Sequence, residues 1–206
     1  MSVWLTDFVA SISLLEAAAV AFAVAYLVLV IRQNILCWAA ALISVLLSVI
    51  LFYDAALYME AALQIFYAGM AVYGWQQWRY GGSDRQGVRI RTWPLRAHAA
   101  ALGLIVVLSA AFGFVLTRTD AAFPYVDSFT TVAAVVTTYM VAGKVLENWL
   151  YWFVIDAVSV YLYAARDLPL YAALFIFYLV LIVIGLRQWL ADWRRQQPVA
   201  AAPGDV

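Results

Sequence analysis

Long apolar runs, separated by short polar or aromatic breaks, form the main pattern of this chain. At about 20 residues per membrane-spanning helix, the pattern predicts seven helices. We place them at residues 14–31, 35–52, 57–78, 97–116, 129–146, 149–163 and 170–190. The runs are too long for the alternating strands of a membrane β-barrel. The chain is therefore predicted to be an all-α membrane protein with seven transmembrane helices.

Composition strengthens this prediction and excludes several kinds of protein. Of the 206 residues, 67% are hydrophobic and 12% are charged, where a soluble domain carries about 25% charged residues. Basic and acidic residues number twelve each, so no excess positive charge is present to attract nucleic acid. Since Cys37 and His98 are the single residues of their types, we expect no intramolecular disulfide and no Cys/His metal cluster. We also expect no cofactor.

Basic residues indicate the orientation of the spans. With the N-terminus outside, ten of the twelve Lys and Arg residues lie in inner segments, and only Arg118 and Arg166 lie outside. Because short cytoplasmic loops are enriched in Lys and Arg, we predict the N-terminus out and the C-terminus in. The predicted regions are a first three-helix repeat at 14–78, a cytoplasmic loop, linker helix and outer loop at 79–128, a second repeat at 129–190, and a disordered cytoplasmic tail at 191–206.

The two three-helix regions repeat in sequence. Residues 34–78 align without a gap on residues 145–189 at an offset of 111, with 15 of 45 positions identical. Composition bias between apolar helices is the alternative explanation, but one register aligns Trp, Gly, Tyr and Gln as well as Ala and Leu. An unpaired fourth span gives both repeats the same orientation, as in SWEET transporters, where substrate binds between the halves. The pattern predicts a 3+1+3 parallel-repeat bundle.

One face of the sixth predicted span combines aromatic and polar side chains. Trp149, Trp152, Asp156, Ser159 and Tyr163 follow at steps of three or four residues, which place them on one helical face. Asp156 lies roughly 10 Å along the helix from Trp149, near the middle of the membrane. A carboxylate at that depth is costly, and with aromatic rings it suits a flat, cationic or hydroxyl-bearing ligand. Alternatively, Trp149 is an interface anchor and Asp156 pairs within the protein.

Further candidates lie on the third span and at the ends of the fifth and sixth. Gln64 can donate and accept hydrogen bonds, although a contact between helices explains it equally well. Trp75 and Trp78 close the inner end of the third span, where aromatic residues commonly anchor helices. The remaining candidates are Tyr67, Thr131, Glu147 and Asn148. Packing between helices is the commoner explanation for Thr131, and Glu147 could simply pair with Lys144. The sequence contains no phosphate-binding loop, His-Glu-x-x-His or Gly-x-Ser-x-Gly motif, so we predict no enzymatic activity.

Four motifs together resemble a known family. They are Gln64-x-x-Tyr67, Tyr73-Gly74-Trp75-x-x-Trp78, Asp127-x-x-Thr130-Thr131 and Glu147-Asn148-Trp149-x-x-Trp152-x-x-x-Asp156. In this combination the chain resembles the bacterial PnuC transporters from its first span to Trp189. The resemblance implies a SWEET-like homotrimer in the inner membrane that facilitates diffusion of nicotinamide riboside, which a cytoplasmic kinase then traps by phosphorylation.

The resemblance also suggests roles for individual residues. The implied substrate-binding residues are Gln64, Trp75, Trp78, Trp149, Trp152 and Asp156. Possible pathway or gate residues are Tyr67, Thr131, Glu147, Asn148, Ser159 and Tyr163. Since some members of this family look specific for thiamine or riboflavin, those vitamins remain alternative substrates. The substrate-capture subunit of an energised vitamin importer, and a membrane-embedded enzyme or sensor, are alternatives of other classes.

Overall fold

The all-helical prediction is confirmed. The computed structural model describes residues 14–54, 58–119, 123–165 and 169–197, and all the regular elements in these ranges are α-helices. They are α1 (Leu14–Ile31), α2 (Leu36–Asp54), α3 (Tyr58–Tyr80), α4 (Leu95–Leu116), α5 (Pro124–Ala142), α6 (Asn148–Ala165) and α7 (Pro169–Gln196). Each predicted span corresponds to one helix. Arg166, predicted on the outer side, lies outside the described residues.

Two helix boundaries differ from the prediction. Helix α5 spans Pro124–Ala142 rather than 129–146, because Pro124 favours the first turn of a helix and the backbone leaves the helical conformation after Ala142. Helix α7 continues to Gln196. Residues 191–196 are therefore helical, whereas the disordered tail was predicted to begin at residue 191. The rest of that tail, residues 198–206, lies outside the described residues.

Hydropathy differs among the helices. By length and composition, four of the described helical segments could cross a membrane: Leu14–Ile31, Leu36–Asp54, Leu95–Leu116 and Ala172–Gln196. Polar and aromatic residues lower the mean hydropathy of α3, α5 and α6. Side chains of this kind inside a membrane usually face protein or a water-filled pathway, so the more polar helices are where a functional site is expected.

The first compact unit contains α1, α2 and α3. Ser44 of α2 donates a hydrogen bond of 2.8 Å from Oγ to the carbonyl oxygen of Ala19 in α1. The indole of Trp38 packs edge-to-face against Trp78 of α3, with ring centroids 5.6 Å apart. Trp38 also lies against Gly74, where an added Cβ atom would overlap its ring. Gly74 thus allows α2 and α3 to approach closely.

The second compact unit contains α4 to α7. Ile105 of α4, Val132 and Ala133 of α5 and Ile155 of α6 form a buried apolar cluster. Trp149 of α6 lies against Gly185 of α7, where an added Cβ atom would overlap the indole. Its ring also packs edge-to-face against Trp189, with centroids 5.5 Å apart. The Trp149 contacts reproduce those of Trp38 at positions 111 residues further along the chain.

The loops after α1 and α5 share an unusual backbone conformation. Gln33 has φ of 52° and Lys144 has φ of 48°. The next N–H groups, of Asn34 and Val145, each donate a hydrogen bond of 2.9 Å to a carbonyl oxygen five residues earlier. This is the Schellman arrangement, in which glycine usually occupies the left-handed position. Both loops therefore place a residue with a Cβ atom where that atom costs free energy.

We expect Gln33→Gly to raise the melting temperature of the purified protein, because glycine removes a backbone cost of about 1 kcal/mol. Gln33→Ala is the matched control, since it removes the same side chain and keeps the Cβ atom. Thermal unfolding in detergent, followed by tryptophan fluorescence, measures both variants. Equal melting temperatures for the two would show that the left-handed conformation imposes no cost.

Candidate functional site

Asp156 is a buried carboxylic acid in α6. Its side chain is 5% exposed, and Tyr178 of α7 lies within electrostatic range of it. Ser159, one turn further along α6, is also buried and donates a hydrogen bond of 3.0 Å to the carbonyl oxygen of Ile155. The Ser159 hydroxyl is thus satisfied by its own helix. Asp156 instead lies within electrostatic range of a tyrosine of the neighbouring helix.

Aromatic contacts run from Tyr163 of α6 to Tyr178 of α7, the tyrosine within electrostatic range of Asp156. Tyr163 stacks on Phe175 of α7 with centroids 5.2 Å apart and an angle of 21° between the rings. Phe175 in turn packs edge-to-face against Tyr178, at 5.8 Å. Tyr163 was a predicted pathway residue, whereas Tyr178 was not. The repeat contained a signal for it, since Tyr178 aligns with the candidate Tyr67.

Three of the four tryptophans predicted to bind substrate, Trp78, Trp149 and Trp152, have different surroundings. Trp152 is half-buried and packs against the apolar cluster formed by α4, α5 and α6. Trp149 is 1% exposed and Trp78 is 7% exposed. Both of these indoles contact a tryptophan of the adjacent helix within their own unit. Of the three, Trp152 is the most accessible to a ligand in this conformation.

The other candidates of the first unit lie on α3. Gln64, Tyr67 and Trp75 are all half-buried. Tyr67 packs against Phe66 with ring centroids 5.7 Å apart, and it lies within electrostatic range of Tyr26 of α1. These three side chains therefore retain surface that a ligand could reach.

Asn148 and Thr131 lie in contrasting environments. Asn148 is fully buried, and its Nδ2 donates a hydrogen bond of 2.6 Å to the carbonyl oxygen of Val145, which stabilises the turn before α6. Thr131 is exposed on α5. Asn148 is thus held in the turn before α6, whereas Thr131 faces outward.

Glu147 belongs to a polar cluster at the start of α4 and α6. Its Oε2 accepts a hydrogen bond of 3.3 Å from the backbone N–H of Trp93, and its Oε1 lies 3.8 Å from Nε2 of His98. His98 Nδ1 is 2.9 Å from the hydroxyl oxygen of Tyr151, and the two rings stack. No sequence pattern indicates this cluster, since His98 and Tyr151 are 53 residues apart.

The loop before α4 also pairs with the loop between α5 and α6. Arg91 donates its backbone N–H to the carbonyl oxygen of Lys144 at 3.1 Å and accepts from the N–H of Leu146 at 2.8 Å. Its Nε donates to the carbonyl oxygen of Gly143 at 3.2 Å.

Among the described residues, no group of three or more His, Cys, Asp or Glu side chains could hold a metal ion.

Known proteins resemble this chain over most of its length. The family described as nicotinamide mononucleotide transporter matches residues 13–191. The chain belongs to this family. Its members include transporters named PnuC, and the chain is accordingly a membrane transporter of the PnuC family rather than an enzyme.

Individual relatives cover most of the chain and differ in their named substrates. The nicotinamide riboside transporter PnuC of Escherichia coli is 28% identical over 182 residues, which cover 75% of this chain and 76% of the relative. The riboflavin/roseoflavin transporter RibM of Streptomyces davaonensis is 28% identical over 145 residues, 68% of each chain. Family membership therefore shows that this chain is a vitamin transporter, but it does not show which vitamin the chain carries.

A solved structure supports the fold. The crystal structure of the vitamin B3 transporter PnuC superposes with a TM-score of 0.71 at 23% identity, covering 95% of this chain and 89% of the other. Together with the apolar helices, this membership makes the chain a multi-pass protein of the bacterial inner membrane. As a transporter it binds a small-molecule substrate.

Proposed function

We propose that this protein facilitates the uptake of nicotinamide riboside down its concentration gradient. The observation that carries the proposal is the buried Asp156 carboxyl group in α6, which lies within electrostatic range of Tyr178 of α7. Nicotinamide riboside has a flat, cationic ring and a ribose with hydroxyl groups. A carboxylate accepts hydrogen bonds from such hydroxyls, and aromatic faces attract a cationic ring.

Charge favours a nucleoside over a nucleotide as the substrate. A mononucleotide carries a phosphate, which an ionised Asp156 would repel. Helix α6 contains no Lys or Arg to compensate that repulsion. Thiamine shares the cationic ring and is the first alternative substrate. Riboflavin, the second, is neutral and flat, and it is supported by the name of the relative RibM.

The proposed site divides between residues that contact substrate and residues along the pathway. We assign substrate contact to Gln64 and Trp75 of the first unit and to Trp152 and Asp156 of the second. Trp78 and Trp149 bind substrate only in a conformation that exposes their indoles, since both are buried here. Tyr67, Ser159 and Tyr163 are proposed to line the pathway, and Thr131, Glu147 and Asn148 are the more distant gate candidates.

The proposed architecture is a SWEET-like 3+1+3 arrangement with parallel repeats, the N-terminus outside and the C-terminus inside. Two structural similarities support the duplication. The Trp38–Gly74 contact matches the Trp149–Gly185 contact, and Gln33 and Lys144 share a left-handed backbone conformation. A parallel repeat suits alternating access to one site. The proposal includes a homotrimer and trapping of the substrate by a cytoplasmic kinase, which keeps the inward gradient favourable.

Uptake into proteoliposomes tests the proposal. We expect saturable entry of labelled nicotinamide riboside that stops at equal concentrations on both sides, without ATP or an ion gradient. Excess unlabelled nicotinamide riboside should compete more strongly than thiamine, riboflavin or nicotinamide mononucleotide. Protein-free liposomes are the control. Non-saturable flux would reject the proposal, and accumulation that requires a co-purified ATPase would favour the alternative of an energised importer subunit.

A further inference from the structure

An apolar groove runs along the second unit between α4 and α6. Both helices pack on α5, which forms the floor of the groove, and the cavity has a volume of about 350 Å³. The apolar side chains that line it include Leu102, Ile105, Phe129, Ala133, Leu150 and Val154. Leu102, Leu150 and Val154 are about half exposed, so the groove opens toward the space beside the helices. In a membrane, lipid chains occupy that space.

One end of this groove is polar. Helices α4 and α6 both begin there, and His98 and Tyr151 bridge them. Glu147 lines the same end, with a side chain that is 21% exposed. A carboxylate has about four lone-pair sites, and the N–H of Trp93 occupies one site on Oε2. Because Oε1 is 3.8 Å from His98, beyond normal hydrogen-bond length, it can accept from a further donor.

We propose that this groove binds one acyl chain of a membrane phospholipid whose headgroup carries a primary ammonium. The acyl chain lies on Phe129 between Leu102 and Val154, and the ammonium donates hydrogen bonds to Glu147. The polar and apolar parts have suitable spacing, since Ile105 lies roughly 10 Å along α4 from His98 at 1.5 Å per residue. A carboxylate at the end of an apolar groove complements a cationic donor attached to an apolar chain.

Native mass spectrometry of the full-length protein tests this proposal. The protein is released from detergent after incubation with phosphatidylethanolamine, phosphatidylcholine or phosphatidylglycerol. These lipids carry a primary ammonium, a quaternary ammonium without N–H groups, and no ammonium, respectively. We expect wild type to retain phosphatidylethanolamine about fivefold more than either other lipid, a preference consistent with one charge-assisted hydrogen bond. Glu147→Gln should remove this preference.

Filling the groove provides a second, independent test. Val154→Trp places a large ring between the walls, and we expect it to reduce retention of all three lipids. Val107→Trp is the matched control, because Val107 is 65% exposed on α4 and points away from the groove-lining residues of that helix. The control should retain phosphatidylethanolamine as wild type does. Because no transport is measured, the outcome does not depend on the proposed substrate.

Three results would overturn the proposal. Equal retention of the three lipids by wild type would exclude recognition of a primary ammonium, and this comparison needs no variant. Unchanged retention in Val154→Trp would show that lipids bind elsewhere. A loss of oligomer mass in Val154→Trp without a loss of lipid would assign the groove to contact between copies of the chain.

Discussion

Asp156→Asn is expected to reduce the initial rate of nicotinamide riboside uptake, at subsaturating concentration, by about 10- to 100-fold. Asparagine keeps the size of the side chain and removes the negative charge that attracts the cationic ring. Hydrogen bonds to charged groups contribute about 1.5–3 kcal/mol, which corresponds to this range. Uptake into proteoliposomes with equal amounts of reconstituted protein measures the change. The half-saturating concentration should rise more than the maximal rate falls.

Two further variants separate substrate binding from structural effects. Tyr178→Phe removes the hydroxyl group within electrostatic range of Asp156, and we expect a smaller, few-fold loss if that hydroxyl supports substrate binding at the carboxylate. Asp192→Asn is the matched control, since Asp192 forms an ion pair of 2.8 Å with the exposed Arg195 near the end of α7. Uptake by this control should equal that of wild type. If Asp156→Asn keeps normal uptake and instead lowers the melting temperature, Asp156 is structural.

Gly185→Ala is expected to destabilise the protein by about 1–3 kcal/mol, the usual cost of overpacking a tightly packed contact. The added methyl group overlaps the indole of Trp149, so α6 and α7 must separate or the ring must move. Gly74→Ala should have a similar effect through Trp38. Thermal unfolding in detergent should show a lower melting temperature for both variants.

Glycines without such contacts supply the control. Nothing lies within 4 Å of a Cβ atom added at Gly69 or Gly103. Alanine at either position should therefore leave the melting temperature unchanged or raise it, since alanine favours a helix by up to about 1 kcal/mol over glycine. Combining Gly185→Ala with Trp149→Phe should recover part of the loss, because the smaller ring leaves room for the methyl group. Equal effects at Gly185 and Gly103 would contradict the packing explanation.

The helices were largely predictable because hydropathy reports which segments prefer lipid to water. The start and end of α5 were not, since they depend on Pro124 and on the left-handed Lys144 rather than on hydropathy. The hydropathy pattern also placed the end of α7 too early, at residue 190. Its last turns, with Arg194 and Arg195, are too polar for a membrane span but continue the helix to Gln196.

The candidate site was predictable in part. The buried position of Asp156 follows from a helical face that combines aromatic and polar residues, and the structure agrees. The neighbour of Asp156 depends on how α7 packs against α6, so Tyr178 was missed. Trp149 was also predicted to bind substrate, whereas its buried indole packs against Gly185 and Trp189. Aromatic residues suit both environments, and only their neighbours distinguish them.

The sequence by itself determined the class of this protein, its seven helices and the helix with the buried acid. These properties depend on the local cost of placing each side chain in water or lipid. The tertiary structure decided which residues come near one another, as with Asp156 and Tyr178, or with Glu147, Trp93 and His98. Such contacts join residues far apart in the chain, and they depend on distances of a few ångströms between packed helices that hydropathy does not record.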